Sequence, residues 1–133
     1  MDNDNKIIDI EELAKDFEER LLNDEYYENV TISYRGSKVK CRIRPIPNME
    51  FKRILKGKDM SNSDDAMNFN SEICAYSLLN KNDNKPFKKE DIERVFPAGI
   101  LNAITEQALM ISGLIDESQK AQMELFLKQA PKL

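Results

Sequence analysis

The basic residues of this sequence are the ones whose type and spacing suggest a binding site, because regularly spaced cations can bind anionic groups. Lys40, Arg42 and Arg44 alternate with apolar residues, and this period of two places the three cations on one face of a predicted strand. They belong to a segment, residues 29–58, that contains nine basic residues and one acidic residue. Such a concentration of positive charge could neutralise the phosphates of a nucleic acid.

The segment that precedes this basic block offers a second explanation for it. Residues 1–28 contain 11 acidic and three basic residues, so a strongly negative stretch runs directly into a strongly positive one. The basic block also lacks the interleaved, exposed aromatic residues on which single-stranded nucleic acids stack. We therefore favour pairing between the two segments, within one chain or between two chains, over nucleic-acid binding.

Catalytic and metal sites are not expected in this chain. It has no histidine among its 133 residues, which excludes His-activated nucleophiles and His-containing zinc sites. Its four glycines form no phosphate-binding motif. Cys41 and Cys74 lie far apart in the sequence, and we expect them to be free and buried. The composition favours a binding or assembly protein that is not an enzyme and has no cofactor.

The N-terminal residues and the hydropathy of the chain indicate the cellular compartment in which we expect the protein. Residues 2–5 are acidic or polar, and the start of the sequence does not resemble a secretory signal. No apolar run approaches the roughly 20 residues that span a bilayer. We expect a cytoplasmic protein with no membrane partner. We also expect a disordered arm over residues 1–8 and a single α-rich domain over residues 9–133.

Periodicity predicts an α+β fold that is mostly α, a compact helical bundle with one β-hairpin at residues 30–44 in its N-terminal half. The hairpin turn is predicted at residues 35–38, and its Lys and Arg residues are expected to guard the open strand edges. Asp9 and Glu12 predict a capping box for the first helix, and Asn48 is the predicted N-cap of the second helix. The predicted helices cover about residues 10–22, 49–56, 64–79, 88–95, 98–112 and 115–129.

Two predicted helices carry apolar stripes that could bind a partner. Leu13 and Phe17 lie on the stripe of the first helix. Met123, Phe126 and Leu127 lie on a second stripe of the last helix, nearly opposite its first. Each stripe can pack within the fold or against another protein, and these five residues are the partner-binding candidates.

Three segments of the sequence resemble segments of a known family. They are YRGSKVKCRIRPIP from Tyr34 to Pro47, FNSEICAYSLL from Phe69 to Leu79, and PAGILNAITEQALMISG from Pro97 to Gly113. Together with the order of an acidic helix, a small hairpin and a helical bundle, they resemble the tail assembly chaperones of contractile-tailed phages and prophage-like elements, the XkdN-like family. The resemblance covers roughly residues 8–115.

The resemblance implies a non-enzymatic protein of the host cytoplasm that is absent from the mature virion. Such a chaperone binds the phage tape measure protein and helps to recruit tail tube subunits. The chaperone hypothesis further predicts binding to long amphipathic helices and self-association. Two alternatives stand beside it. One is a nucleic-acid-binding or regulatory protein that uses the basic residues 35–58, and the other is a structural tail or head completion component.

Overall fold

The computed structural model describes residues 7–116. In this range the helices and strands follow the order α1 (Ile10–Leu22), β1 (Glu28–Tyr34), β2 (Ser37–Ile43), α2 (Asn48–Leu55), α3 (Ser63–Ser77), β3 (Leu78–Leu79), α4 (Lys89–Val95) and α5 (Ala98–Ile111). The predicted α+β, mostly helical class and the hairpin in the N-terminal half are confirmed. Most of the predicted arm over residues 1–8, and the helix predicted from about residue 115 to 129, lie outside the described residues.

The hairpin of β1 and β2 closes through a tighter turn than predicted. Tyr34 pairs directly with Ser37, so only Arg35 and Gly36 form the turn. Their φ angles are 51° and 84°, and positive φ at both central residues is the mark of a type I′ turn. The twist of this turn matches that of the strands, which explains why the pairing continues without a bulge from the turn to Glu28 and Ile43.

A third strand, which the sequence pattern did not predict, makes β2 the central strand. Leu78 and Leu79 leave the helical conformation after Ser77 and pair antiparallel with Ile43 and Arg42. The sheet order is β1-β2-β3, so the prediction that α3 continues to residue 79 was wrong at its last two residues. The expectation that the Lys and Arg residues of β2 guard an open edge does not hold at Arg42, because Arg42 and Ile43 pair with β3. Lys38 and Lys40 precede this paired part of β2.

The core lies between the inner face of the sheet and helices α2 to α5. Helix α3 is its centre, since it buries residues on both of its sides, including Phe69, Ile73 and Cys74. Phe51 of α2 packs edge-on against Phe69, with ring centroids 6.2 Å apart. Helix α5 covers the sheet and α3 with a buried face formed by Leu101, Ile104, Thr105, Glu106, Ala108 and Leu109. Helix α1 contributes no buried residue.

The helix ends correct two predictions. The side chain of Asp9 makes no capping hydrogen bond, and the N-cap of α2 is Pro47, with Asn48 as the first helical residue. Asn62 is a true cap, because its side-chain oxygen accepts a hydrogen bond from the Asp65 amide at 3.1 Å. Gly113 follows α5 with a φ of 73°, as expected for a glycine just beyond a helix end.

The favoured pairing of the acidic and basic segments is not found within the described part of the chain. The ion pairs of the basic block go to Glu50, which holds Arg53 at 2.8 Å, and to Glu72, which holds Lys58 at 3.2 Å. Between residues 7 and 58, no carboxylate of the acidic segment forms an ion pair with the basic block. Arg42 and Arg44 are held instead by aromatic rings, a side-chain amide and main-chain carbonyls.

Candidate functional site: an exposed helix face beside an arginine–tyrosine cleft

The outer face of the sheet carries Lys40, Arg42 and Arg44, the basic residues identified from the sequence, and these residues differ in exposure. Lys40 is exposed, whereas Arg42 and Arg44 are half-buried. Because Leu79 pairs with Arg42, it lies on this same outer face, and it is buried there. The outer face therefore holds a second packed region, away from the main core.

Arg44 binds the C-terminal end of α3. Its Nε donates to the carbonyl oxygen of Tyr76 at 2.8 Å, and its Cζ lies 3.8 Å from the centroid of the Tyr76 ring. The last turn of α3 has no basic residue of its own. Arg44 thus supplies the positive charge that the negative end of a helix dipole favours, together with a cation–π contact.

Arg42 fastens the chain segment between α1 and β1 to the loop after β3. Its Nη1 donates to Asn84 Oδ1 at 2.6 Å and to the Lys81 carbonyl at 3.3 Å, and its Cζ lies 4.6 Å from the Tyr27 ring centroid. Asn84 in turn donates from Nδ2 to the carbonyl of Asp24 at 3.3 Å. This chain of contacts determines where α1 leaves the body of the protein.

Between these contacts lies a shallow cleft of about 90 Å³. Its walls come from the end of α1, the tyrosines before β1, the proline turn after β2 and the loop after β3, and they include Leu21, Tyr26, Tyr27, Pro45, Pro47 and Leu79. Burial raises the pKa of Tyr26 and of Tyr76. The nearby charge of Arg44 lowers the pKa of Tyr76, but by less than burial raises it. Both phenols therefore stay neutral at physiological pH, and the cleft is aromatic in character.

The apolar stripe of α1 is exposed beside this cleft. Ile10 is 69% exposed, Phe17 38% and Leu21 59%, while Leu13 is half-buried. The only aromatic contact of Phe17 within the described residues is with Tyr26, at 5.6 Å between ring centroids. The partner-binding candidates Leu13 and Phe17 therefore lie together on one open helix face. Met123, Phe126 and Leu127 lie outside the described residues.

Three acidic residues of α1, Glu11, Asp16 and Glu18, border this stripe, whereas Glu12 and Glu19 lie on the opposite side of the helix. Glu11, Glu12, Asp16, Glu18 and Glu19 are all exposed. A helix with an apolar face and acidic flanks is suited to a second amphipathic helix whose own flanks are basic.

The cysteines and the carboxylates give no sign of catalysis in residues 7–116. Burial raises the pKa of the Cys74 thiol to about 12 and also raises that of Cys41, so neither is a reactive thiolate. No group of three metal-ligating side chains comes together in this range. None of its helices has the length and apolar character to cross a membrane.

The roles of Tyr26, Tyr27 and Asn84 were not predicted from the sequence. Tyr26 and Tyr27 stand together between a helix and a strand, and that pairing of aromatic residues beside the cations of β2 was the available signal. No sequence signal marks Asn84. Its hydrogen bond to Arg42 depends on a loop conformation with a φ of 58° at Asn84 and joins residues 42 positions apart.

Comparison of the chain with models of known protein families finds no match, and comparisons with curated proteins and with solved structures find none either.

Proposed function

We propose that this protein is a non-enzymatic tail assembly chaperone of a contractile-tailed phage or prophage-like element. In this proposal it works in the host cytoplasm, binds the tape measure protein, helps to recruit tail tube subunits, and leaves before the particle is complete. The observation that carries the proposal is the exposed apolar stripe of α1. The resemblance of the three sequence strings to the XkdN-like family supports it.

The chemistry of α1 specifies the segment that it binds. A tape measure protein is long and helical, and its apolar helix faces need cover until tube subunits surround it. Ile10, Phe17 and Leu21 offer a matching stripe, and the exposed carboxylates around them favour a segment with lysine or arginine beside its apolar residues. The same carboxylates keep the complex soluble.

Co-expression with the tape measure protein of the same phage or prophage tests this proposal. Wild-type chain should retain the tape measure protein on an affinity column, as identified by mass spectrometry. Phe17→Glu should lose most of it, because a carboxylate replaces the ring at the middle of the stripe. Lys15→Gln changes the net charge by the same single unit on the opposite side of α1 and should retain it.

Helix α1 has no buried residue, so both variants should keep the packed core, although Phe17→Glu also removes the ring contact with Tyr26. Equal retention by wild type and Phe17→Glu would contradict the role given to α1. Failure of the wild type to retain the tape measure protein would contradict the proposed function as a whole. Presence of the chain in purified particles would favour the structural-component alternative.

Nucleic-acid binding is the less favoured alternative. Of the four cations on the outer face, Arg42 and Arg44 are already engaged by Asn84 and Tyr76, which leaves Lys38 and Lys40 exposed. A nucleic-acid site would show an affinity that falls steeply with salt and weakens on Lys40→Glu.

A further inference from the structure

The outer edge of β1 lacks the features that usually protect a solvent-exposed strand edge from pairing with another strand. In this three-stranded sheet β1 is an edge strand, and no other segment between residues 7 and 116 pairs with its outer side. Natural proteins protect such edges with proline, lysine or a bulge. From Glu28 to Tyr34 there is no proline, lysine or arginine, and the register with β2 is continuous.

The hairpin register identifies which backbone groups this edge presents. The residues that close a two-residue turn exchange both of their hydrogen bonds, and such pairs alternate with non-bonded pairs along an antiparallel ladder. Tyr34, Ile32 and Val30 therefore bond to β2. Asn29, Thr31 and Ser33 direct their N–H and C=O groups away from it. The side chains of these last three residues are all exposed.

We propose that β1 pairs antiparallel with β1 of a second copy of this chain, about a twofold axis at Thr31. In this register Thr31 faces the partner's Thr31, and Asn29 faces the partner's Ser33. All the outward-facing groups are then paired, in about six backbone hydrogen bonds. The two sheets become one continuous sheet whose inner faces remain covered by their own helices.

The side chains of β1 are complementary to themselves in this arrangement. Its central pairs are neutral, so no like charges meet across the axis. At each end, Glu28 lies opposite the partner's Tyr34 and next to the partner's Arg35. Both charged residues are exposed, and within residues 7–116 neither of them takes part in an ion pair. Opposite charges therefore meet at both ends of the paired edge.

A seven-residue edge buries less surface than a standard protein interface, so we expect a dimer that exchanges with the monomer. Sedimentation equilibrium of the full chain at increasing concentration should show the mass rising towards that of two chains. The amides of Asn29, Thr31 and Ser33 should exchange with deuterium more slowly in the concentrated sample. A mass of one chain at the highest soluble concentration would overturn the proposal.

Substitution at Thr31 tests the edge itself. The Thr31 amide faces solvent in the monomer, so Thr31→Pro is compatible with an edge strand. It removes a bond from each chain and places the proline ring against the partner, and the dimer should be lost. Thr31→Val keeps the amide and should dimerise like the wild type. Protection of the Val30 and Ile32 amides in Thr31→Pro would verify that the hairpin has formed.

Charge reversal tests the register. Glu28→Arg and Arg35→Glu should each weaken the dimer by about fivefold, and the double variant should recover wild-type affinity. A dimer that is insensitive to both reversals and to Thr31→Pro would place the interface elsewhere and overturn the proposal. The inference depends on β1 alone, and its failure would leave the part proposed for α1 untouched.

Discussion

Arg44 and Tyr76 are joined twice: the Nε of Arg44 donates to the Tyr76 carbonyl at 2.8 Å, and its guanidinium lies 3.8 Å from the centroid of the Tyr76 ring. The pair connects the end of β2 to the end of α3. A cation that the alternating pattern assigned to a solvent-exposed strand face is thus a structural part of the fold.

Replacement of Arg44 should therefore destabilise the protein. Arg44→Met keeps most of the side-chain volume but removes the charged hydrogen bond and the cation–π contact, and we expect a loss of about 2 kcal/mol in the free energy of unfolding. The matched control is Lys40→Met on the same strand face, where the exposed side chain should cost less than about 0.5 kcal/mol. Urea titration of both variants measures the difference, and equal stability would contradict the structural role of Arg44.

The thiols should be inert in the folded protein. Cys74 is fully buried, with its Sγ 3.4 Å from the Leu101 carbonyl oxygen, and burial raises its pKa to about 12. Neither Cys74 nor Cys41 should react with a thiol reagent at pH 8 until denaturant is added. Rapid modification of two thiols in the native protein would show that the core around α3 is open.

Stability should fall in alkaline solution through the same thiol. The unfolded Cys74 loses its proton near its ordinary pKa of 9.0, whereas the folded thiol keeps its proton up to about 12. The unfolded state is therefore favoured as pH rises between these values, by up to about 1.4 kcal/mol per pH unit. Cys74→Ala should have a flatter profile of unfolding free energy from pH 9 to pH 11. Identical slopes would contradict this assignment.

Glu72 should connect α3 to two neighbouring segments. It lies 3.2 Å from Lys58 and 3.5 Å from Lys89. Lys58 and Glu72 are the more sheltered pair, with side chains 11% and 20% exposed, whereas Lys89 is 44% exposed. Lys58→Met should cost about 1 kcal/mol and Lys89→Met less than about 0.5 kcal/mol. Thermal unfolding at low and high salt measures both, and a larger effect at Lys89 would contradict this ranking.

Features that depend on neighbouring residues in the sequence were predicted in this protein, whereas contacts between residues far apart in the sequence were not. Helix α1 was predicted to its correct ends, because its boundaries depend on local periodicity. Strand β3 has only two residues and no period of its own, so nothing in its sequence separated it from α3. The hydrogen bonds of Arg42 and Arg44 join residues more than 30 positions apart. A local pattern gives the face of the strand on which a cation lies, but not its partner.

The solubility of the tape measure protein tests the central proposal most directly. It should be measured in cells that express the tape measure protein alone, with the wild-type chain, with Phe17→Glu and with Lys15→Gln. We expect the wild type and Lys15→Gln to bring the tape measure protein into the soluble fraction, and Phe17→Glu to do so poorly. A tape measure protein that is equally soluble with and without the wild-type chain would contradict the chaperone function.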